Sequence, residues 1–239
     1  MNQKRTRIYV KANIEKNEIQ YSGISFSEFV QYLTCPLENL VQLKGEYCGD
    51  SCICGFEVAE GTVSINKLSS ECIYYWGEFC FVDCFDPLSI LELSQQQIAE
   101  LLYLAHAGQP LTSPFFECLH NRFVYLSHDD GWYGKLYCRN VNDFISVLSQ
   151  KIASQLKNPP TIPNIIGTQL LQLAHSGIII DLDDMCITCD EANLKIYTIG
   201  VDTDIDTILN NFEMLKSCAV CVYVLHSADG TWSLKSFEQ

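Results

Sequence analysis

Three of the five histidines, His106, His120 and His128, fall within Ser94–Tyr137, and Asp129 and Asp130 directly follow the last of them. Imidazole nitrogens and carboxylate oxygens are the donors of a zinc-type centre, which lowers the pKa of a bound water for hydrolysis. The spacing argues against that use. No two of these histidines stand at the i, i+4 interval that sets two ligands on one helix face, and Asp129-Asp130-Gly131 is accounted for as a tight turn. No metal or other cofactor is expected.

The thirteen cysteines offer thiolates. Cys48, Cys52 and Cys54 lie in a segment with Gly and Asp that reads as a loop, and of the cysteines they have the better placing for ligands or reactive thiols, though small buried side chains remain the expected use of cysteine here. Cys186-x2-Cys189 and Cys218-x2-Cys221 have the spacing of a zinc knuckle or redox pair. Both fall in segments that read as strands, where i and i+3 side chains face opposite ways. Cys118 and His120 stand two residues apart, but no cysteine-protease signature and no Gly-x-Ser-x-Gly elbow accompanies them. Asp202, Asp204, Asp206, Asn210 and Glu213 match positions 1, 3, 5, 9 and 12 of an EF-hand loop, yet Thr207 occupies the position that requires glycine. These acids read instead as the first turn of a helix, where the dipole favours them. No glycine-rich phosphate loop is present.

The elements that would position these groups are marked locally. Arg7–Val10 and Glu18–Tyr21 flank Lys16-Asn17 as a hairpin. Ser25 with Glu28 forms a capping box, Ile24 with Phe29 a hydrophobic staple, and Pro36 stops the helix. Short strands are expected at Ile53–Val58, Thr62–Ile65, Ile73–Trp76 and Phe79–Cys84. A second capping box, Ser94 with Gln97, opens a helix that ends at Gly108 and Pro110. Phe123–Ser127 and Trp132–Tyr137 form a second hairpin, with Tyr125, Trp132, Tyr133 and Tyr137 as its aromatic residues. A helix over Asn142–Leu156 turns Phe144, Ile145, Leu148 and Ile152 inward. Three prolines in five positions make Asn158–Pro163 a linker and the expected hinge. Val220–Leu225 and Trp232–Phe237 close the chain as strands joined at Asp229-Gly230.

Beyond the linker the pattern recurs. Ala99–Gly108 and Thr168–Gly177 agree at six of ten positions, and Lys135-Leu136-Tyr137 with its following helix is echoed by Lys195-Ile196-Tyr197. The expected fold is therefore α+β, an internal duplication of helix-hairpin-helix units, with domains over 1–157 and 164–239. In this scheme His106 and His175 both sit two residues before a glycine, as helix C-terminal caps. His128 has no counterpart, so it and its neighbours Asp129 and Trp132 are the candidate binding residues.

Composition bounds the function. The chain has 239 residues, 48% of them hydrophobic, and a formal net charge of −14. Residues 1–160 carry eighteen acids and twelve bases, and residues 161–239 eleven acids and three bases. Such a surface repels phosphate backbones and favours cationic partners. No apolar run reaches the roughly 20 residues of a membrane span, and no signal-peptide pattern follows Met1, so a cytoplasmic protein is expected. The expected role is binding of a protein with a basic surface, as an inhibitor or immunity-type protein would do. The competing expectation is a small hydrolase, metal-dependent or cysteine-based, centred on His128.

Overall fold

The computed structural model describes residues 6–48, 51–70, 79–98, 100, 114–128, 133–156, 162–188, 191–200, 204–229 and 231–237; of residues 43–48, 51–55, 79 and 128 it describes the backbone only. In chain order the elements are β1 (Arg7–Asn13), β2 (Glu18–Ser22), α1 (Phe26–Tyr32), β3 (Asn39–Cys48), β4 (Ser51–Glu60), α2 (Gly61–Ser70), β5 (Phe79–Cys84), β6 (Phe123–His128), β7 (Tyr133–Cys138), α3 (Val141–Ala153), α4 (Asn164–Leu173), β8 (Ile178–Asp181), β9 (Cys186–Ile187), β10 (Glu191–Thr198), α5 (Ile205–Asn210), α6 (Phe212–Ser217), β11 (Cys221–Ala228) and β12 (Thr231–Phe237).

The described chain groups into two units. The first holds Met1–Glu15, Ile19–Ile24 and Asn142–Gln239, and the second Lys16–Glu18 and Ser25–Val141. This differs from a division at 157/164, because the N-terminal hairpin and α3 group with the C-terminal residues. In the first unit the strand order is β12-β11-β10-β8-β1-β2, with β9 also on β10; in the second it is β7-β6-β5-β3-β4. The fold is thus dominated by antiparallel strands and is not a duplication of helix-hairpin-helix units. The reason is that the decisive pairings are non-local. Arg7–Val10 of β1 pairs with Ile178–Asp181 of β8, and β3 pairs with both β4 and β5. Ile178, Ile179 and Ile180 are all fully buried. A continuous apolar run with no solvent-facing alternation is the mark of a strand covered on both faces, which a hairpin in a chain of local units cannot supply.

In the second unit α1 begins as its sequence dictates. Glu28 N–H donates to Ser25 Oγ at 3.2 Å and Ser25 N–H to Glu28 Oε2 at 2.9 Å, closing the capping box. Ser25→Ala is expected to destabilise the protein by about 1 kcal/mol, read as a lowered urea midpoint with unchanged slope. The helix presses Phe26 and Phe29 into an aromatic cluster. Phe26 stacks on Phe81 at 3.8 Å between centroids, and Phe29 meets Phe123 edge-on at 5.1 Å. Tyr125 completes it.

Thr62–Ile65 is helical, not the expected strand. Its local alternation of Val63 and Ile65 imitates a period of two, but the buried positions of α2 are Ile65, Leu68 and Ser69, and Val63 is 86% exposed. The spacing of three and four residues settles the periodicity. Cys48, Cys52 and Cys54 are also strand residues rather than loop residues. Tyr47 pairs with Cys52 and Gly45 with Cys54 in a ladder that runs from Asn39↔Glu60 to Cys48↔Ser51.

In the first unit α3 buries Phe144, Ile145, Leu148 and Ile152, as its apolar stripe requires. Gly167 of α4 lets the two helices approach, since a Cβ there would lie 2.2 Å from Ile145 Cγ2. Among the described residues no helix is long and apolar enough to cross a membrane.

Candidate functional site

His128 is the last residue of β6, opposite Tyr133 of β7. Its side chain lies outside the described residues, as do Asp129, Asp130, Trp132 and His106. The same holds for the expected hinge at Pro159-Pro160. His120 is exposed and has φ +50°, at the end of a turn whose backbone is fixed from within. The fully buried Asn121 donates Nδ2–H to Pro114 O and Phe123 O and accepts from Phe116 N–H at 2.8 Å. Tyr125 and Tyr137 are buried and belong to the core.

His175 is exposed, and Gly177 closes its turn with φ +79° and a backbone N–H to Ala174 O. Cys218 follows α6 and Cys221 opens β11, so only the second of that pair stands on a strand. Asp204 caps α5, accepting from Thr207 N–H and Thr207 Oγ1 at 2.8 Å each, which accounts for an acid of the EF-hand-like run. Among the described residues no group of three or more His, Cys, Asp or Glu side chains could hold a metal ion.

The structure gathers a different set of charges at one end of the first unit. Antiparallel register places Arg7 opposite Asp181, the last residue of β8. The chain then turns through Leu182–Asp184. Leu182 N–H donates to Thr6 O, Asp183 N–H to Asp181 Oδ1, and Thr6 Oγ1 to Asp183 Oδ2. The turn delivers three carboxylates side by side, and α6 supplies the counter-charge. Lys216 Nζ lies 2.7 Å from Asp181 Oδ2, 2.7 Å from Asp184 Oδ2 and 3.8 Å from Glu213 Oε2. Tyr197 of β10 donates its hydroxyl to Asp184 at 3.2 Å, and its ring sits 5.4 Å beneath the ammonium. Arg7 pairs with Glu213 at 2.5 Å and lies over the Phe212 ring.

The electrostatics of this cluster limit its chemistry. Desolvation pulls the Lys216 pKa down, but hydrogen bonds and charge attraction from Asp181 and Asp184 outweigh it, so the ammonium is held above its ordinary range. The hydrogen bond from Lys216 holds Asp184 below the usual carboxylate range, against a smaller desolvation effect. Burial, with Asp184 beside it, pushes Tyr197 up. The lysine therefore stays an ammonium and the phenol stays a neutral donor at physiological pH, so the cluster supplies neither a free amine nor a phenolate nucleophile. It is a charge lock carrying more acid than base.

Outward the acids predominate, although Lys195 and Lys235 are exposed as well. Asp183, Asp184, Glu191, Asp206, Glu213 and Asp229 are all exposed. Among the described residues Glu191, Asp206 and Asp229 have no cationic partner. Sequence reasoning missed the lock because Lys216 and Asp181 are 35 residues apart. The available signal was that Lys216 is the one base between Lys195 and Lys235. No protein-family model, curated protein or solved structure matches the chain.

Proposed function

We propose that the protein binds a partner with a basic surface through the acidic face of its first unit, in the manner of an inhibitor or immunity-type protein. One observation carries the reading. Arg7 and Lys216 are each engaged by carboxylates of their own unit, while the exposed Glu191, Asp206 and Asp229 have no cationic partner among the described residues. Complementary charge of this kind acts first on the encounter rate and on the choice of partner.

The test is capture by the immobilised full-length chain. A basic protein is expected to be retained at low salt and released as salt rises, since exposed charges are screened beyond about 8 Å at physiological ionic strength. The variant D183N/E191Q/D206N/D229N is expected to retain much less. Recovery of no basic protein, or capture indifferent to salt, contradicts the proposal.

A further inference from the structure

One sheet face of the second unit ends in apolar side chains that meet water. The chain leaves β5 at Cys84 and turns through a short 3-10 helix, Pro87–Glu92, which Asp86 caps by accepting from Leu88 N–H at 2.9 Å. Ile90 and Leu93 pack inward on a core that includes Val41, Val82 and Val124. The outward positions are Phe85, Leu88 and Leu91, which are 70%, 68% and 82% exposed. Three residues make one 3-10 turn, so Leu88 and Leu91 stand one above the other on the same side of the helix. Register puts the exposed Phe56 and Val58 of β4 on the sheet face that this helix covers. Val58 shares a row with Val41 and Val82, and Phe56 shares one with Leu43 and Cys80. β4 is the last strand in the unit's order.

The charges around this strip are of one sign. Asp86, Glu92 and Glu60 are exposed, and Glu60 follows Val58 on the same sheet face, in the row of Asn39 and Cys84. Burial, and after it the charges of Asp83, Asp86 and Glu60, push the Cys84 thiol up to about 11, which places Asp86 and Glu60 around the same end of β5. Among the described residues none of Asp86, Glu92 and Glu60 has a cationic partner. No Lys or Arg occurs between Lys67 and Arg122, and Arg122 is held by Asp83. Residues 16–18 and 25–141 together carry sixteen acids and six bases.

We propose that this strip docks a basic amphipathic helix of a partner protein, its apolar side chains on Leu88, Leu91 and Val58 and its lysines or arginines toward Asp86, Glu92 and Glu60. A lone exposed leucine carries no meaning, but exposed apolar side chains grouped on one face and rimmed by charge mark an interaction surface. The spacing suits a helix. One 3-10 turn and four residues of α-helix both advance about 6 Å, so an i, i+4 apolar pair matches Leu88 and Leu91. The acids select the occupant, since a second copy would bring like carboxylates together and an anionic bilayer would be repelled. The surface lies in the second unit and is apolar first, so it is independent of the acidic face of the first unit.

Fluorescence anisotropy of the labelled peptide LKKLLKLLKKLLKL, whose leucines form one helical face, tests it with the full chain. The peptide is expected to bind, and its counterpart with glutamate for lysine, or a shuffled peptide of the same composition, to bind about tenfold more weakly. L88S/L91S is expected to weaken binding about tenfold with an unchanged urea midpoint, and E60Q/E92Q to weaken it about threefold at low salt. D183N/E191Q/D206N/D229N is expected to leave it unchanged. Absence of binding, equal binding of the shuffled peptide, or an unaffected L88S/L91S overturns the proposal. So does a loss confined to the first-unit variant, which would make the peptide a ligand of that acidic face. Self-association, or adsorption to phosphatidylserine vesicles, abolished by L88S/L91S would assign the strip to a second copy or to a membrane and overturn it equally.

Discussion

Asp83→Ala is expected to cost about 3–5 kcal/mol of stability, among the largest effects a single substitution produces. Asp83 is the hinge pin of the second unit's sheet. Arg122 N–H and Phe123 N–H donate to its Oδ1 at 2.8 and 3.0 Å, and Arg122 Nε to its Oδ2 at 3.0 Å. The guanidinium also reaches Cys35 O, joining the end of α1 to the start of β6. Burial pushes the Asp83 carboxyl up, and its hydrogen bonds with Phe123 and Arg122 pull the other way. Alanine would leave the Arg122 and Phe123 backbone donors and Arg122 Nε without the acceptor they share. Asp83→Asn keeps an acceptor oxygen for the backbone donors and is expected to lose less. Urea denaturation of the three proteins gives the order; equal midpoints for wild type and D83A would contradict it.

Lys216→Ala is the second. Removing the ammonium leaves Asp181, 3% exposed, and Asp184 without the cation that binds them, while Glu213 keeps Arg7. Breaking a buried pair from one side typically costs about 3–5 kcal/mol, and the partial exposure of this cluster brings the expectation to about 2–4 kcal/mol at pH 7. The pH window follows from the shifts. Asp184 has a depressed folded-state pKa, so its contribution is present above the unfolded value of about 3.9 and is lost as pH falls through the folded one. Lys216 has a raised folded-state pKa, so its contribution is complete below about 10.4 and is lost as pH rises through the folded one. The gap between wild type and K216A is therefore expected to be widest between these limits and to close toward acid pH. A gap that persists undiminished once Asp184 is protonated in the folded state would show that the loss is one of packing rather than charge.

Both of these residues act across long sequence separations, and that marks the boundary of what the chain discloses by itself. Capping boxes are legible because donor and acceptor are three residues apart. Ser94 and Gln97 close theirs as Ser25 and Glu28 do, with Gln97 N–H donating to Ser94 Oγ at 3.2 Å. The hairpin of β6 and β7 is legible for the same reason. The stripe of α3 is legible because it runs for thirteen residues. Thr62–Ile65 is not, because four residues cannot separate a period of two from one of 3.6. The pairing of β1 with β8 has no local mark beyond the three isoleucines, whose uninterrupted run signals a strand with no wet face. The Lys216 lock is invisible for the same reason, its parts coming from β8, the turn after it, β10 and α6. Of the two copies of the leucine-rich decad only Thr168–Gly177 lies within the described residues. Its repetition did not report a repeated unit.

The central claim is that the outward acids of the first unit choose and attract a basic partner. Its most direct test is the association rate of the captured partner with wild type and with D183N/E191Q/D206N/D229N across a salt series. For wild type the rate is expected to fall steeply as salt rises, and for the variant to lie about tenfold lower at low salt and to converge with wild type at high salt. Equal rates for the two proteins at low salt would contradict the account.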